Sequence, residues 1–434
     1  MGKRNGRRAG NGYLDPRDGS AAGESPASHL DRRLHFGCGK GPVDIEPRPA
    51  ARPSHRCDPT GSGCATQPAV IPITLARGGM AAAILHFVPA GPVRRSAAAG
   101  RVVVFRVEIR CLPWAEAGPE AASAWAALRA SNPALRSPYF AWEFVDTVAS
   151  VQGRVEVALL TEAARPVGYF PFQRVSARRA RPVGSPMNDY QGLIAGSGLV
   201  FDPLRLLQSC DLDRFEFDHL VVEQASWAPY HRARARSPYL DLESGFETWT
   251  QDRLRAGHSR FQRLKKLRRA LAQTQGPLRF ELDVRDERVL DQLLALKSDQ
   301  YCRTLGPERD LFANPSMAAI VHEILRLRSP ALCGVLSALW AGEGLAAAHF
   351  GMRSGPVLHW WFPAFAPALS KYSPGALLLL DVTEAAPGAG IALIDFGKGD
   401  EPYKLRFATG AFEVAEGWVD VNEEEIVRGA AAKS

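Results

Sequence analysis

The order of the predicted elements past residue 108 repeats once, and this repeat constrains the fold more than any other feature of the sequence. In each half, two helical patterns precede short strand-like runs, and a further helix then leads to another strand. Alternation of this kind packs helices against a sheet, so the pattern predicts a mixed α/β fold built from a duplicated unit. The halves agree in element order and not in residue identity.

The individual segments follow from apolar periodicity and from the turn residues between them. In the first half, helices are predicted at 120–131, after Ser137-Pro138 and at 203–210, and strands at 155–160, 167–175, 188–194 and 215–222. In the second half, helices are predicted at 287–303, from Pro315 and at 374–386, and strands at 334–340, 345–352, 357–362 and 391–396. The side chains predicted to share the core face of helix 287–303 are Val289, Leu290, Leu293, Leu294 and the stem of Lys297.

These segments predict three parts of the chain. Two lobes are expected at 108–240 and 276–425, joined by a basic segment at 241–275. An extension of residues 1–107 precedes them; it is basic and low in complexity, and almost all of it lacks a periodic apolar pattern. Such a composition buries too little apolar surface to offset its ordering entropy, so the extension is predicted to be disordered.

The net charge of +7 is located almost entirely in this extension. Of the 53 Lys/Arg and 46 Asp/Glu residues, 17 and 8 lie in residues 1–110, which leaves 36 and 38 for the remainder. The folded part is therefore close to neutral, and the charge of the whole chain does not indicate a nucleic-acid partner.

The seven cysteines have no short C-x-x-C spacing, so no metal site is predicted. An odd, scattered set is typical of a reducing compartment. No apolar run approaches the ~20 residues that span a bilayer, so no transmembrane segment is predicted. We expect a cytoplasmic protein.

One amphipathic, strongly basic helix is predicted at 252–271, between the lobes. Its apolar stripe is formed by Leu254, Phe261, Leu264, Leu267 and Leu271. The other faces carry Arg253, Arg255, Arg260, Arg263, Lys265, Lys266, Arg268 and Arg269. Two interpretations stay open: a solvated face, or a surface for the phosphates of a nucleotide, an RNA or an anionic lipid.

Several segments together resemble one family. They are Ser137-Pro138-Tyr139-Phe140, Asn188-Asp189-Tyr190, the basic run 260–269, Ser373-Pro374-Gly375, and the run Asp-Phe-Gly-Lys-Gly-Asp-Glu-Pro-Tyr-Lys at 395–404. The set resembles the CelD-like acetyltransferases of the GNAT superfamily, which are associated with cellulose and exopolysaccharide biosynthesis and are related to Fem-type transferases. The resemblance covers residues 108–415.

The resemblance implies tandem GNAT-like lobes with the acyl-donor site in the second. It implies transfer of an acyl group, typically acetyl, from acyl-CoA to an amine or hydroxyl of a polysaccharide precursor or related small acceptor, with polysaccharide-synthesis machinery as a partner. Because Fem-type relatives use aminoacyl-tRNA, a tRNA-dependent aminoacyl transferase is an alternative. A non-catalytic GNAT-fold partner in a polysaccharide-synthesis complex is another.

The donor site is expected where the predicted helix 374–386 begins. GNAT enzymes hold the pyrophosphate of acyl-CoA with a Gln/Arg-x-x-Gly-x-Gly/Ala loop, and here the stretch 370–376 lacks the second half of that pattern. Ser373 is expected to cap the helix and to leave the Gly375 and Ala376 amides free as an anion site, with Lys371 adding charge. An ordinary capped helix is the competing interpretation.

The catalytic groups are expected in the loop 395–404, which follows an apolar strand. Removing a proton from the acceptor needs a base, for which Glu401 or Asp400 is suited, and Tyr403 is a candidate acid. Asp395 and Lys404 are expected to form a structural pair. Direct transfer without a covalent intermediate is expected, because no nucleophile elbow or Cys/His pair is present.

Five further residues have two interpretations each. His349 lies in an apolar strand and is a core histidine or a catalytic one. Asp189 and Tyr190 line an acceptor cleft between the lobes, or the Asn188-Asp189 pair caps a turn. Trp361 and its neighbour Trp360 point to opposite faces of one strand, so one is expected in the core and the other against a sugar or adenine ring.

Overall fold

The computed structural model describes residues 107–256 and 260–423. The helices are α1 (Gly118–Ala130), α2 (Trp142–Gln152), α3 (Pro203–Gln208), α4 (Gly245–Arg255), α5 (Arg260–Gln275), α6 (Glu287–Leu305), α7 (Pro315–Arg326), α8 (Pro374–Ala385) and α9 (Pro402–Phe407). The predicted extension lies outside the described residues except for Val107.

The strands are β1 (Glu108–Pro113), β2 (Val155–Glu162), β3 (Arg165–Ser176), β4 (Arg179–Arg181), β5 (Ile194–Ala195), β6 (Arg214–Val221), β7 (His231–Asp241), β8 (Leu278–Glu281), β9 (Cys333–Ala341), β10 (Gly344–Ser354), β11 (Val357–Phe365), β12 (Leu393–Asp395) and β13 (Gly410–Asp420). They form one sheet in the order β1-β2-β3-β4-β6-β13-β7-β12-β11-β10-β9-β8, and β5 pairs with β3. Only the pairs β4–β6 and β11–β12 of these strands are parallel. The predicted class, a mixed α/β fold with a mostly antiparallel sheet and flanking helices, is confirmed.

The strand order has an internal symmetry that matches the repeat in the sequence. Counted from its two edges, the sheet has the same series twice, β1-β2-β3-β4-β6 and β8-β9-β10-β11-β12. In each series the first four strands pair antiparallel in sequence, and the fifth strand pairs parallel with the fourth. Each half then exchanges its next strand: β7 follows β6 in the chain but pairs with β12, whereas β13 follows β12 but pairs with β6. The exchanged strands pair with each other, so the halves share one continuous sheet.

Apolar side chains cover both faces of this sheet. One cluster extends across both halves and includes Trp125 of α1, Leu293 of α6 and Phe350 of β10. On the opposite face, a second cluster joins Leu377 of α8 to Leu358 of β11, and a third lies under the first half. Because successive strand residues point to opposite faces, β11 presents alternate side chains to different layers.

Two predicted segments differ from the structure. The basic helix predicted at 252–271 is two helices, because α4 ends at Arg255 and α5 begins at Arg260. Gly257 lowers the helix propensity between them. The helices also pack on different elements of one apolar cluster: Trp249 of α4 stacks on Phe407 of α9, whereas α5 contacts α8 and β9.

The strand predicted at 188–194 forms only at its end, as β5. The side-chain oxygen of Asn188 accepts a hydrogen bond from the Tyr190 amide at 2.9 Å. This local hydrogen bond takes the place of strand pairing at these residues. Asn188 therefore caps a turn, which was the alternative interpretation. Its consequence is a turn that places Asp189 at the seam between the halves.

Candidate functional site

The parallel pair β11–β12 is short, and its last aligned residues are His359 and Asp395. Strand β12 ends there, while β11 continues to Phe365 along β10. Among the described residues, no strand pairs with the β12 side of residues 360–365. The site therefore has a free strand edge that starts beside two buried titratable side chains.

His359 is completely buried and lies between two carboxylates. Its Nε2 is 3.0 Å from Asp189 Oδ2, and its Nδ1 is 3.8 Å from Asp395 Oδ2. Burial alone lowers the pKa of the imidazole, but the hydrogen bond to Asp189 and the nearby charge of Asp395 outweigh it and raise the pKa to about 9. At neutral pH the imidazole is therefore a cation held by two anions.

Asp189 reaches this cluster from the first half of the chain. Burial raises the pKa of its carboxyl group, but the hydrogen bond to His359 and the nearby His219 outweigh burial, so the pKa lies below its ordinary value. Nε2 of His219 is 3.7 Å from Asp189 Oδ1. The side chain of Asp189 is still 26% exposed, so this carboxylate is accessible from outside the cluster.

Asp395 is held by the backbone and by neighbouring hydroxyl groups. Its Oδ1 accepts a hydrogen bond from the Gly397 amide at 2.9 Å and lies 3.4 Å from Ser237 Oγ, and Ser237 lies 2.7 Å from the Tyr190 hydroxyl. The predicted Asp395–Lys404 pair is not formed. Asp395 instead faces His359, its register partner on β11.

Lys404 closes the loop that follows β12. Its buried ammonium group donates to the Lys398 carbonyl at 2.8 Å and lies 2.9 Å from Glu401 Oε2. The side chain of Glu401 is 31% exposed, and the side chain of Asp400 is 54% exposed and lies 3.7 Å from Arg236. Tyr403 is partly buried against the cluster under α8.

A second buried lysine lies at the free edge of β11. Lys297 of α6 is 8% exposed, and its Nζ donates to the Pro363 carbonyl at 3.2 Å and to Gln300 Oε1 at 3.4 Å. Burial, and then the charge of Lys404, lower its pKa to about 8 despite the opposite effect of Glu401. The predicted core position of the Lys297 stem is confirmed.

The start of α8 differs from the predicted anion site. Ser373 adopts a left-handed backbone with φ of 54°, and its side chain does not cap the helix. The Ala376 amide is not free either, because it donates to the Ser373 carbonyl at 3.0 Å. The Gly375 amide makes no backbone hydrogen bond within the described chain. Lys371 is exposed and lies over the Tyr372 ring.

Gly375 also connects α8 to the free edge. A Cβ at Gly375 would lie 3.5 Å from the Phe365 ring, at the end of β11. The free edge therefore runs from the charged cluster at His359 to the start of α8, about 20 Å at the usual strand rise.

His349 and the two tryptophans are buried. The His349 ring stacks on Trp360 at 3.6 Å, and neither ring nitrogen has a hydrogen-bond partner in the described part of the chain. Burial lowers the pKa of His349 well below its ordinary value, so the ring is neutral. Trp360 and Trp361 lie on opposite faces, as predicted, but Trp361 is only 8% exposed and stacks on Phe362.

A crevice opens beside Tyr190 and Asp395. Its outer lining includes Arg136 and Glu413, and its inner lining includes Ser137. The Ser137 hydroxyl is buried and has no hydrogen-bond partner among residues 107–256 and 260–423. The crevice therefore presents polar groups to a small molecule next to the charged cluster.

The sequence named Asp189 and Tyr190 as candidates for an acceptor cleft and Asp395 as a structural residue of the loop. It did not indicate His359, His219 or Ser237, or a functional role for Lys297. His359 lies between Leu358 and Trp360 in an apolar strand, so no local pattern distinguishes it from a core histidine, and its alignment with Asp395 is visible only in the fold. Lys297 was recognised only as a core stem.

No group of three or more His, Cys, Asp or Glu residues that could hold a metal is present in the described ranges. None of the helices in those ranges is long and apolar enough to cross a membrane.

Residues 258–405 match the family model described as an acetyltransferase (GNAT) domain. This range contains the free edge of β11, the start of α8, His359, Lys297 and most of the loop after β12. The match supports a transferase and lies within the second half of the chain. A search of curated proteins finds no match.

Solved structures with similar folds include three proteins with low identity. A conserved protein of unknown function from Bacteroides thetaiotaomicron has 10% identity and a TM-score of 0.44, over 69% of this chain and 97% of that one. FemX has 10% identity and a TM-score of 0.44, over 70% and 97%. A tandem GNAT protein from the clavulanic acid biosynthesis pathway has 12% identity and a TM-score of 0.43, over 73% and 99%. TM-scores below 0.5 support no functional argument.

Proposed function

We propose that this protein is an acyltransferase that moves an acyl group, typically acetyl, from acyl-CoA directly to an amine or hydroxyl of a small acceptor. The observation that carries the proposal is the free edge of β11, which joins the charged cluster at His359 to the start of α8 within the matched GNAT domain. A free strand edge binds extended ligands through backbone hydrogen bonds. The pantetheine arm of CoA is extended and carries amide groups.

The donor would lie along this edge with its phosphates at the start of α8. Lys371 and the Gly375 amide are the groups available to an anion there, and the helix dipole favours negative charge. The acyl group would then lie on the free edge of β11, between Phe365 and the charged cluster at His359. On this arrangement the acceptor approaches through the crevice lined by Ser137 and Tyr190, past the partly exposed Asp189.

Glu401 is the base that we assign to the acceptor, because its carboxylate is partly exposed and lies in the loop that follows β12. Tyr403 is the corresponding acid. The His359 cation holds Asp189 and Asp395 in place, and no step is assigned to the neutral, buried His349. From the family resemblance, we infer a polysaccharide precursor as the acceptor class.

Isothermal titration calorimetry tests the donor. Acetyl-CoA is expected to bind, free CoA to bind through the same phosphate contacts, and bulk tRNA to bind weakly. Acetyl transfer to a panel of amino sugars, followed by release of the CoA thiol, then tests the reaction. Absence of acetyl-CoA binding at millimolar concentration would refute the proposal.

A tRNA-dependent aminoacyl transferase is the second candidate, and one observation favours it. Arg263, Lys265, Lys266 and Arg269 of α5 are exposed and make no ion pair within the described chain. Helix α5 packs on α8 through the Arg268–Asp381 ion pair, so this basic face is held beside the donor site. Tight, salt-sensitive tRNA binding would favour this candidate over acyl-CoA.

A further inference from the structure

Lys297 is a buried cation that lacks an anionic partner within the chain. No carboxylate in the described ranges lies within ion-pair distance of its Nζ. Its two acceptors, the Pro363 carbonyl and Gln300 Oε1, are neutral and lie at 3.2 and 3.4 Å. An ammonium group has three donors, and a charge is rarely buried without a partner. The Tyr301 ring lies 5.0 Å from Nζ, and the third donor has no hydrogen-bond acceptor among these residues.

The Lys297 ammonium group lies at the free edge of β11. Its acceptor Pro363 belongs to the stretch 360–365, between His359 and the end of β11 at Phe365. Helix α6 carries Lys297 on the sheet face that also packs Trp361, whereas α8 packs on the opposite face. Lys297 thus reaches the edge from the side opposite to the α8 helix.

We propose that Lys297 is a catalytic residue whose ammonium group donates a hydrogen bond to the carbonyl oxygen of the transferred acyl group. This inference rests on the proposed acyl-CoA function. The oxygen would be the acceptor that the third N–H of Lys297 lacks in the chain. Burial strengthens such a bond because water does not compete with it.

The hydrogen bond from Lys297 would increase the rate because negative charge develops on the acyl oxygen during transfer. The lone pair of the acceptor nitrogen or oxygen forms a bond to the thioester carbon, and the C=O π electrons move onto the oxygen. The oxyanion then re-forms the carbonyl while the C–S bond breaks and its electron pair leaves with the CoA sulfur. The acceptor proton passes to the base, and the thiolate takes a proton from the acid. Negative charge develops on the oxygen only during this step, so Lys297 stabilises the transition state more than the bound thioester.

Three variants test the proposal. Lys297→Met fills the same volume without a charge, Lys297→Arg retains the cation, and Arg303→Met removes a charge from the exposed surface of α6 as a control. Acetyl transfer from acetyl-CoA to amino sugars is measured, with acetyl-CoA affinity by calorimetry and folding by thermal melting.

For Lys297→Met we expect kcat to fall about 10²–10³-fold, as when one oxyanion donor is removed, with acetyl-CoA affinity changed less than tenfold. Lys297→Arg should recover part of this loss, and Arg303→Met should match the wild type. The wild-type rate should decline as pH rises through about 8, where Lys297 loses its proton, and this decline should be absent in Lys297→Met.

Two results overturn the proposal in distinguishable ways. If the wild type transfers acetyl groups and folded Lys297→Met retains kcat within about threefold, the catalytic role of Lys297 is wrong and the proposed function stands. If the wild type neither binds acetyl-CoA nor transfers its acetyl group, the proposed function fails and takes the role of Lys297 with it.

Discussion

His359 Nε2 lies 3.0 Å from Asp189 Oδ2, so a completely buried histidine in the second half of the chain is paired with a carboxylate from the first half. The two residues are 170 positions apart in the sequence. The pair links the edge at which β11 and β12 separate to the turn that follows Asn188. The same ion pair therefore stabilises the fold and holds Asp189 in its position.

Breaking this pair should destabilise the fold. Removing one partner leaves a buried charge without compensation, so Asp189→Asn and His359→Gln are each expected to cost about 3–5 kcal/mol of unfolding free energy. In the double variant the losses should not add, because both changes remove the same interaction, with a coupling of roughly 1–3 kcal/mol. Urea denaturation of the four proteins measures this; additive losses would contradict the pairing.

The raised pKa of His359 predicts how stability depends on pH. A group whose folded pKa of about 9 exceeds its ordinary value near 6.5 contributes stability that is fully present below about pH 6.5 and lost as pH rises through 9. The loss is on the order of 3 kcal/mol. The lowered pKa of Lys297 has the opposite effect, because its contribution to stability increases as pH rises above about 8.

The difference between wild type and His359→Gln isolates the histidine, because both proteins retain Lys297. Denaturation between pH 6 and 10 should show this difference shrinking as pH rises. A difference that stays constant over that range would mean that His359 is neutral in the folded protein.

Gly397 should be required for the approach of Asp189. Its φ is +68°, and a Cβ there would lie 2.8 Å from Asp189 Oδ2 and 3.2 Å from the His359 ring. Gly397→Ala is expected to lose the ~1–2 kcal/mol of a left-handed alanine and a further amount from displacing Asp189. Gly355→Ala is the matched control, because its φ is +53° and its Cβ would meet nothing within 4 Å. Equal losses in the two variants would show that the site tolerates the methyl group.

Glu401→Gln should separate chemistry from structure in the loop after β12. General-base assistance is worth about 10²–10⁴-fold in rate, so turnover should fall by that factor while donor affinity changes little. Because Glu401 lies 2.9 Å from the buried Lys404 ammonium group, the melting temperature should also fall, and turnover is measured well below it. Lys404→Met should instead lower stability first, because Lys404 is buried and binds the Lys398 carbonyl. Wild-type turnover in Glu401→Gln would place the base elsewhere, with Asp400 as the next candidate.

The exposed face of α5 should distinguish the two donors. Replacing Arg263, Lys266 and Arg269 by alanine leaves the Arg268–Asp381 contact with α8 intact. If acyl-CoA is the donor, acetyl-CoA affinity measured by calorimetry should stay nearly unchanged. If tRNA is the donor, the triple variant should lose RNA binding and the steep salt dependence of that binding.

Local patterns were enough to predict most of the elements. The helix from Pro315 and the strands β9, β10 and β11 appear near their predicted bounds, because their apolar periodicity and turn residues are local properties. The basic helix was predicted as one element because periodicity continues through Gly257. Packing of α4 and α5 on different partners separated them, and no local pattern carries that information.

The sequence by itself determined the α/β class, the repeated element order and the short list of polar residues after β12, since each depends on neighbours in the chain. Only the tertiary structure decided that β7 and β13 exchange between the halves, that His359 pairs with Asp189, and that Glu401 rather than Asp395 faces Lys404. The reason is physical: a buried charge takes its pKa and its partner from whatever the fold brings within a few ångströms. For His359 that partner is 170 residues away along the chain.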